Sequence, residues 1–234
     1  MSNDSIFETF LLLSPQKLVI AVYKKQGFQK VYYKEVLNQD NLDSLNYELI
    51  DIFLEKNIFE IEKYLKKFIK NIHLIIKSDE FFKIDFSIKR NNYGEEITKD
   101  KLIHLLNEAK DECKKTLEGK RIIHMMVDSY FVNEKDYSIF PQGIKCDVFS
   151  VDIRFISLSN TNIKDIEKIL KKYQVSIDNI LQSDYIESFL KQDQEDFFNT
   201  AMKILNGFNK NEVLLVPKET KNKGFFERFF NFFN

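Results

Sequence analysis

The sequence predicts an α+β fold in which a strand-led subdomain is interrupted by an inserted strand–helix–strand–strand module. Three observations carry this. The chain opens on three short apolar runs divided by tight turn signals. Residues 81–157 alternate strand and helix patterns in their own self-contained order. Two later stretches, around 58–69 and 163–170, carry apolar residues at helical spacing.

The elements follow in order. Phe7–Leu13 and Lys17–Tyr23 are apolar and separated by Ser14-Pro15-Gln16, a hairpin with proline at the first corner of its turn. Gln29–Val36 follows the Gln26-Gly27 turn as a third strand, completing a meander. Residues 38–56 are ambiguous, with Leu45, Leu49, Ile52 and Phe53 compatible with a helix. A clearer helix starts at Asn57, which has Glu60 three residues on as in a capping box, and Ile58, Ile61, Leu65, Phe68 and Ile69 form its apolar stripe. His73–Lys77 reads as a buried strand.

In the insertion, Phe82, Ile84, Phe86 and Ile88 alternate with polar residues as in a half-buried strand. Thr98 caps a helix running to Thr116, with Leu102, Leu105, Leu106 and Ala109 on one face and Gly119 past its end. Strands follow at Ile122–Val132 and Asp147–Ser157. Beyond the insertion come a helix at Ile163–Tyr173, a strand at Val175–Leu181 and a helix at Phe197–Leu205. The expected organisation is a discontinuous first subdomain (1–80 and 158–206), the insertion (81–157), a linker (207–223) and a terminal segment (224–234). Within the linker, Val213–Val216 could dock or add a strand.

Composition excludes several functions. The chain has 234 residues, 44% hydrophobic and 30% charged, which is a folding rather than a disordered composition. Its 35 Lys+Arg and 36 Asp+Glu nearly cancel, so no electrostatic grip on nucleic acid is expected. Two Cys, at 113 and 146, suit a reducing compartment. Met1–Asp4 has no basic residue and Phe10–Leu13 is too short for a signal core, so no secretory leader is expected. His73, His104 and His124 lie far apart with no ligand-spaced partner, and Asp147 and Asp152 fall on opposite strand faces. No Gly-rich phosphate loop occurs. The expectation is no catalytic residue, no metal and no cofactor.

The terminal segment is the most informative. In Gly224–Asn234, Phe225, Phe226, Phe229, Phe230 and Phe233 share one helical face, with Phe232 nearer its edge. Glu227, Arg228, Asn231 and Asn234 lie opposite, and Lys218, Lys221 and Lys223 precede them. This is the pattern of an amphipathic helix lying in an anionic membrane surface, with Phe225, Phe226, Phe229, Phe230, Phe232, Phe233, Lys221, Lys223 and Arg228 as its contact residues. A groove on a partner protein, or the chain's own globule, could take the same face.

Taken together, the segments resemble the FtsA family of bacterial cell-division proteins. Gly94–Ser157 is similar to that family's SHS2 subdomain through Glu95-Glu96-Ile97-Thr98 at the helix entry, Arg121-Ile122-Ile123-His124 opening a strand, Tyr130-Phe131-Val132, and a loop ending at Gly143. Asn162–Phe189 is similar to the return into the first actin-like (ribonuclease H-like) subdomain, and Lys218–Phe233 to the membrane-targeting end. The resemblance implies a partial actin-like subdomain with an SHS2 insertion. It also implies a peripheral protein at the cytoplasmic face of the inner membrane, with division proteins as partners and self-association through the insertion.

Two departures from the family pattern matter. Where the family's first hairpin turn holds phosphate and metal-bound water, this chain has Leu12, Ser14 and Pro15, which supply no carboxylate, no glycine and one N–H fewer. Only residues 191–217 stand where the second nucleotide-binding lobe would be. The chain is therefore expected not to bind ATP or form actin-like filaments, and FtsZ binding, which the resemblance places in that lobe, is in doubt. The functional expectation is a non-enzymatic membrane adaptor of cell division. A membrane scaffold of another assembly, such as a pilus or secretion platform, is the alternative.

Overall fold

The computed structural model describes residues 6–38, 44–190 and 196–214. The described residues divide into two compact units, the first within 1–80 and 161–202 and the second within 81–160 and 203–214. The α+β class is as the sequence predicts.

The first unit is built on a five-stranded sheet of β1 (Phe7–Leu13), β2 (Lys17–Lys24), β3 (Gln29–Leu37), β4 (Asn71–Ile76) and β9 (Ser176–Gln182), in the order β3-β2-β1-β4-β9. The first three strands form an antiparallel meander, and β4 and β9 extend it in parallel with β1. Near-continuous apolar sequence in β1 and β4 matches their burial on both faces, with Phe10, Leu11, Leu13, Leu74, Ile75 and Ile76 all inaccessible to solvent. Each such side chain contributes about 1.5–3 kcal/mol of burial.

Helix α1 (Tyr47–Leu65) buries Ile50, Phe53, Leu54, Ile58 and Ile61. It corrects the expected start at Asn57: the cap is Asn46, whose side-chain oxygen accepts from Leu49 N at 3.0 Å. Asn57 is buried mid-helix, its amide donating to Phe53 O (2.7 Å) and its carbonyl accepting from Tyr32 Oη (2.9 Å). The helix also ends before Phe68. Lys66 adopts a left-handed backbone (φ 53°), which breaks the helical phase and turns Phe68 outward instead of into the expected stripe. Helix α3 (Asn160–Lys172) buries Ile163, Ile166 and Leu170 and is followed by Tyr173, whose hydroxyl donates to Asp51 Oδ1 of α1 at 2.9 Å.

Helix α5 (Phe197–Leu205) begins at Asp196, which accepts from Asn199 N (2.9 Å) and from the Tyr23 hydroxyl (3.0 Å). Phe198 of this helix meets Phe10 and Tyr23 in an aromatic cluster that also includes Phe28 and His73. A short helix, α4 (Ser183–Glu187), follows β9 directly.

The second unit has a four-stranded antiparallel sheet of β5 (Phe82–Asn91), β6 (Lys120–Val132), β7 (Lys135–Tyr137) and β8 (Val148–Ser159), ordered β5-β8-β6-β7. Helix α2 (Lys99–Thr116) packs Leu102, Leu105, Leu106, Ala109 and Cys113 against Met125, Val127, Val151, Ile153 and Phe155. Thr98 caps it through Lys101 N, as its sequence position suggests. Gly119 takes the positive φ (75°) that lets the chain leave the helix and enter β6. The short β7, a hairpin extension of β6 through Asn133 and Glu134, carries no recognisable pattern in the sequence.

Candidate functional site

Parallel strands place ligands beyond their carboxyl ends, so the site to inspect in the first unit is the edge where β1, β4 and β9 finish. Their registers align there: Leu13 faces Ile76, and Ile76 faces Gln182. Ser14, Lys77 and Ser183 therefore follow three neighbouring strands at one level.

This edge is occupied by the protein's own groups. Ser14 N donates to Lys17 O at 3.0 Å, its hydroxyl donates to the same carbonyl at 3.0 Å, and that hydroxyl accepts from Lys17 N at 2.9 Å. Pro15 has no N–H, and its carbonyl accepts from Asn38 Nδ2 at 3.0 Å. Asn38 N donates to Gln16 O at 2.8 Å. The hairpin turn thus spends the N–H groups of Ser14 and Lys17 internally, where a phosphate cradle would turn such donors outward. Leu12 is buried and gives a metal nothing to bind.

The charges at this edge are paired as well. Lys77 Nζ lies 3.0 Å from Glu187 Oε1, and Ser183 Oγ donates to the same oxygen at 2.9 Å. Lys17 sits 3.9 Å from Glu35. Burial pulls the Glu187 carboxyl upward, but the hydrogen bonds from Lys77 and Ser183 outweigh it and hold the carboxyl below its usual range. Lys77 and Lys17, the two ammonium groups named at this edge, each have a carboxylate beside them and are not held open for a triphosphate. Isothermal calorimetry with Mg-ATP is expected to show no binding tighter than about 1 mM, equivalent to about −4 kcal/mol. A micromolar isotherm would contradict this reading of the edge.

The second feature that bears on function is the root of the terminal segment. Asn211 O accepts from Val127 N at 2.9 Å, and Val213 N donates to Met125 O at 2.8 Å, so residues 211–213 pair with β6. Val213 is fully buried in the second unit's core. Between them Glu212 turns inward: Oε2 lies 3.1 Å from Nδ1 of the fully buried His124, and Oε1 accepts from Met125 N (3.2 Å) and Leu214 N (3.0 Å). The chain that leads to the terminal segment is therefore clamped to a strand of the second unit.

His73 is the other buried histidine. Asn179 Nδ2 donates to its Nδ1 (3.2 Å), and its Nε2 donates to Glu8 Oε2 (2.9 Å). Glu8 also pairs with Lys25 at 3.0 Å. These are structural ties across the first sheet. The carboxylate partners of the two buried histidines lie 65 and 88 residues away in sequence.

No family model matches the chain, and no curated protein matches it. Solved structures do resemble it. The cytoplasmic domain of EpsL, an inner membrane component of the type II secretion system of Vibrio cholerae, is 13% identical with a TM-score of 0.36, and the match covers 80% of this chain and 59% of that one. The PilM–PilN type IV pilus biogenesis complex is 7% identical with a TM-score of 0.44, covering 76% and 48%. A Bacteroides thetaiotaomicron protein with an actin-like ATPase fold is 14% identical with a TM-score of 0.34, covering 79% and 55%. The chain spans between 48% and 59% of the length of these structures. Likeness of this degree assigns no activity or partner.

The membrane-contact residues expected from the sequence, Lys221, Lys223, Phe225, Phe226, Arg228, Phe229, Phe230, Phe232 and Phe233, all lie outside the described residues. Among the described residues no helix is long and apolar enough to cross a membrane.

Proposed function

We propose that this chain is a non-enzymatic, membrane-tethered adaptor. The second unit presents a docking surface, and the amphipathic terminal segment holds the molecule to anionic lipid at the inner face of the cytoplasmic membrane. The observation that carries the proposal is the phenylalanine spacing of residues 225–233, five rings on one helical face with polar residues opposite and lysines upstream. The closed edge of the first sheet supports the non-enzymatic part, since its donors and charges are used within the fold. The clamp at Glu212 supports the adaptor part, because it fixes the chain to the second unit as far as Leu214.

In the proposed helical form, eleven residues would extend about 16 Å, too short to span a bilayer. Six phenylalanines at about 1.5–3 kcal/mol each set a ceiling of about 9–18 kcal/mol, reduced by shallow insertion and by ordering of the helix. One such tether is reversible, and self-association multiplies it through effective concentration.

The assembly served is, in this proposal, the division machinery, as in FtsA. A fluorescent fusion of the full chain is expected to concentrate on the membrane at division sites. The same fusion carrying Phe225→Ser, Phe226→Ser, Phe229→Ser and Phe230→Ser is expected to disperse through the cell. Membrane localisation away from division sites would favour another assembly, such as a pilus or secretion platform. A diffuse full-length fusion would contradict the proposal.

A further inference from the structure

The first unit carries an exposed surface that none of the interactions described so far explains. At the carboxyl end of α1 and in the loop that follows, Phe59 is 68% exposed and Phe68 is 82% exposed. Together with Glu62, Lys63, Lys66 and Lys67 they line an open groove of about 470 Å³. Large apolar side chains presented this far into solvent are unusual when they cluster and are rimmed by charge.

The presentation of Phe68 is held in place by the fold. Lys66 adopts its left-handed backbone with its N–H donating to Glu62 O. Lys67 N donates to the same carbonyl at 3.3 Å. Ile69 N donates to the Glu62 carboxylate at 3.0 Å, and Ile69 itself is buried. With residues 66, 67 and 69 tied down, Phe68 is fixed facing outward. A left-handed lysine is a strained choice that persists only where its surroundings enforce it.

The charge on the Phe68 side of the groove is positive. Residues 63–70 contain Lys63, Lys66, Lys67 and Lys70 and no Asp or Glu. Among the described residues, the ammonium groups of Lys63, Lys66 and Lys67 have no ion-pair partner. Glu62, the one acid lining the groove, has its carboxylate turned onto Ile69 N. Lysines at a helix end complement its dipole, which accounts for their position but not for the two bare phenyl rings between them.

We propose that Phe59 and Phe68, ringed by Lys63, Lys66 and Lys67, form a second contact with an anionic lipid surface. Phenyl rings at headgroup depth with lysines reaching back to the phosphates are what such a surface accepts. The chain's own terminal segment is a poor occupant by charge, because residues 215–234 carry four basic and two acidic side chains and would meet lysines. The inference deepens the membrane reading above and rests on it only in naming the same kind of surface.

The chain contains no tryptophan, so Phe68→Trp places a reporter that speaks for this position alone. With vesicles of phosphatidylcholine and phosphatidylglycerol, full-length Phe68→Trp is expected to shift its emission to the blue and to be quenched by shallow brominated lipid. Phosphatidylcholine alone should leave it unchanged. Phe59→Ser with Phe68→Ser in the full chain is expected to weaken vesicle partition roughly tenfold. Lys63→Gln, Lys66→Gln and Lys67→Gln together should weaken it in a salt-dependent manner.

If the Phe68→Trp protein sediments with vesicles and its emission does not move, this contact is overturned while the terminal tether stands. If the Phe68→Trp protein with Phe225, Phe226, Phe229 and Phe230 replaced by Ser still binds and still shifts, this contact stands and the tether fails. If neither protein sediments, both fail. A shift with polyglutamate but not with vesicles, or a dimer that Phe59→Ser and Phe68→Ser dissociate, also overturns the proposal, in favour of an acidic partner or a second copy.

Discussion

Glu212→Ala is expected to destabilise the protein by about 3–5 kcal/mol, because each buried polar group left without its partner costs about 1–3 kcal/mol. The carboxylate faces Nδ1 of a fully buried histidine and accepts from two backbone N–H groups, so its loss strips three polar groups of this partner at once. Glu212→Gln keeps an oxygen for Met125 N and Leu214 N and should cost only about 1–2 kcal/mol. Urea unfolding measures both costs. Hydrogen exchange at Val213 N, which is bound to Met125 O, should accelerate in the alanine variant. An alanine variant with an unchanged midpoint would mean that the clamp is not stabilising and that residues 209–214 dock by Val213 alone.

Phe10→Ala should cost a comparable amount, about 3–5 kcal/mol, through the cavity it opens. Phe10 is fully buried and its ring lies 5.1–6.2 Å from those of Tyr23, Phe28, His73 and Phe198, so it is the hub of the first unit's aromatic cluster. Phe10→Leu refills part of the space and should cost less than about 1.5 kcal/mol. In the alanine variant, amides in β1 and α5 should exchange faster than in the leucine variant. Equal stability of the two variants would contradict the role of the Phe10 ring as the hub of this cluster.

Features encoded over short distances were legible in the sequence. The Ser14-Pro15-Gln16 turn, the Thr98 cap and the glycine after α2 each act through neighbours a few residues away, and the structure places the corresponding elements there. The start of α1 was not legible because Asn46 and Asn57 carry the same capping chemistry. The choice is made by tertiary burial of Ile50, Phe53 and Leu54, which extends the helix through Asn57. Phe68 keeps helical spacing with Ile61 and Leu65 on paper, and only the left-handed turn at Lys66 throws it outward.

The candidate edge depended still more on topology. Lys77 and Glu187 are 110 residues apart, and His124 and Glu212 are 88 apart. Nothing local announces such pairs, since strand order and register bring them together. The phenylalanine-faced terminal segment is the opposite case: its pattern is local and complete in the sequence, and it lies outside the described residues.

The central claim, tethering to anionic lipid by that segment, is tested most directly by flotation of the purified full-length chain with anionic vesicles, beside a version lacking residues 224–234. The account predicts that the full chain floats with the vesicles and that the shortened chain largely stays at the bottom of the gradient. Equal flotation of the two proteins, or no flotation of the full chain, would contradict it.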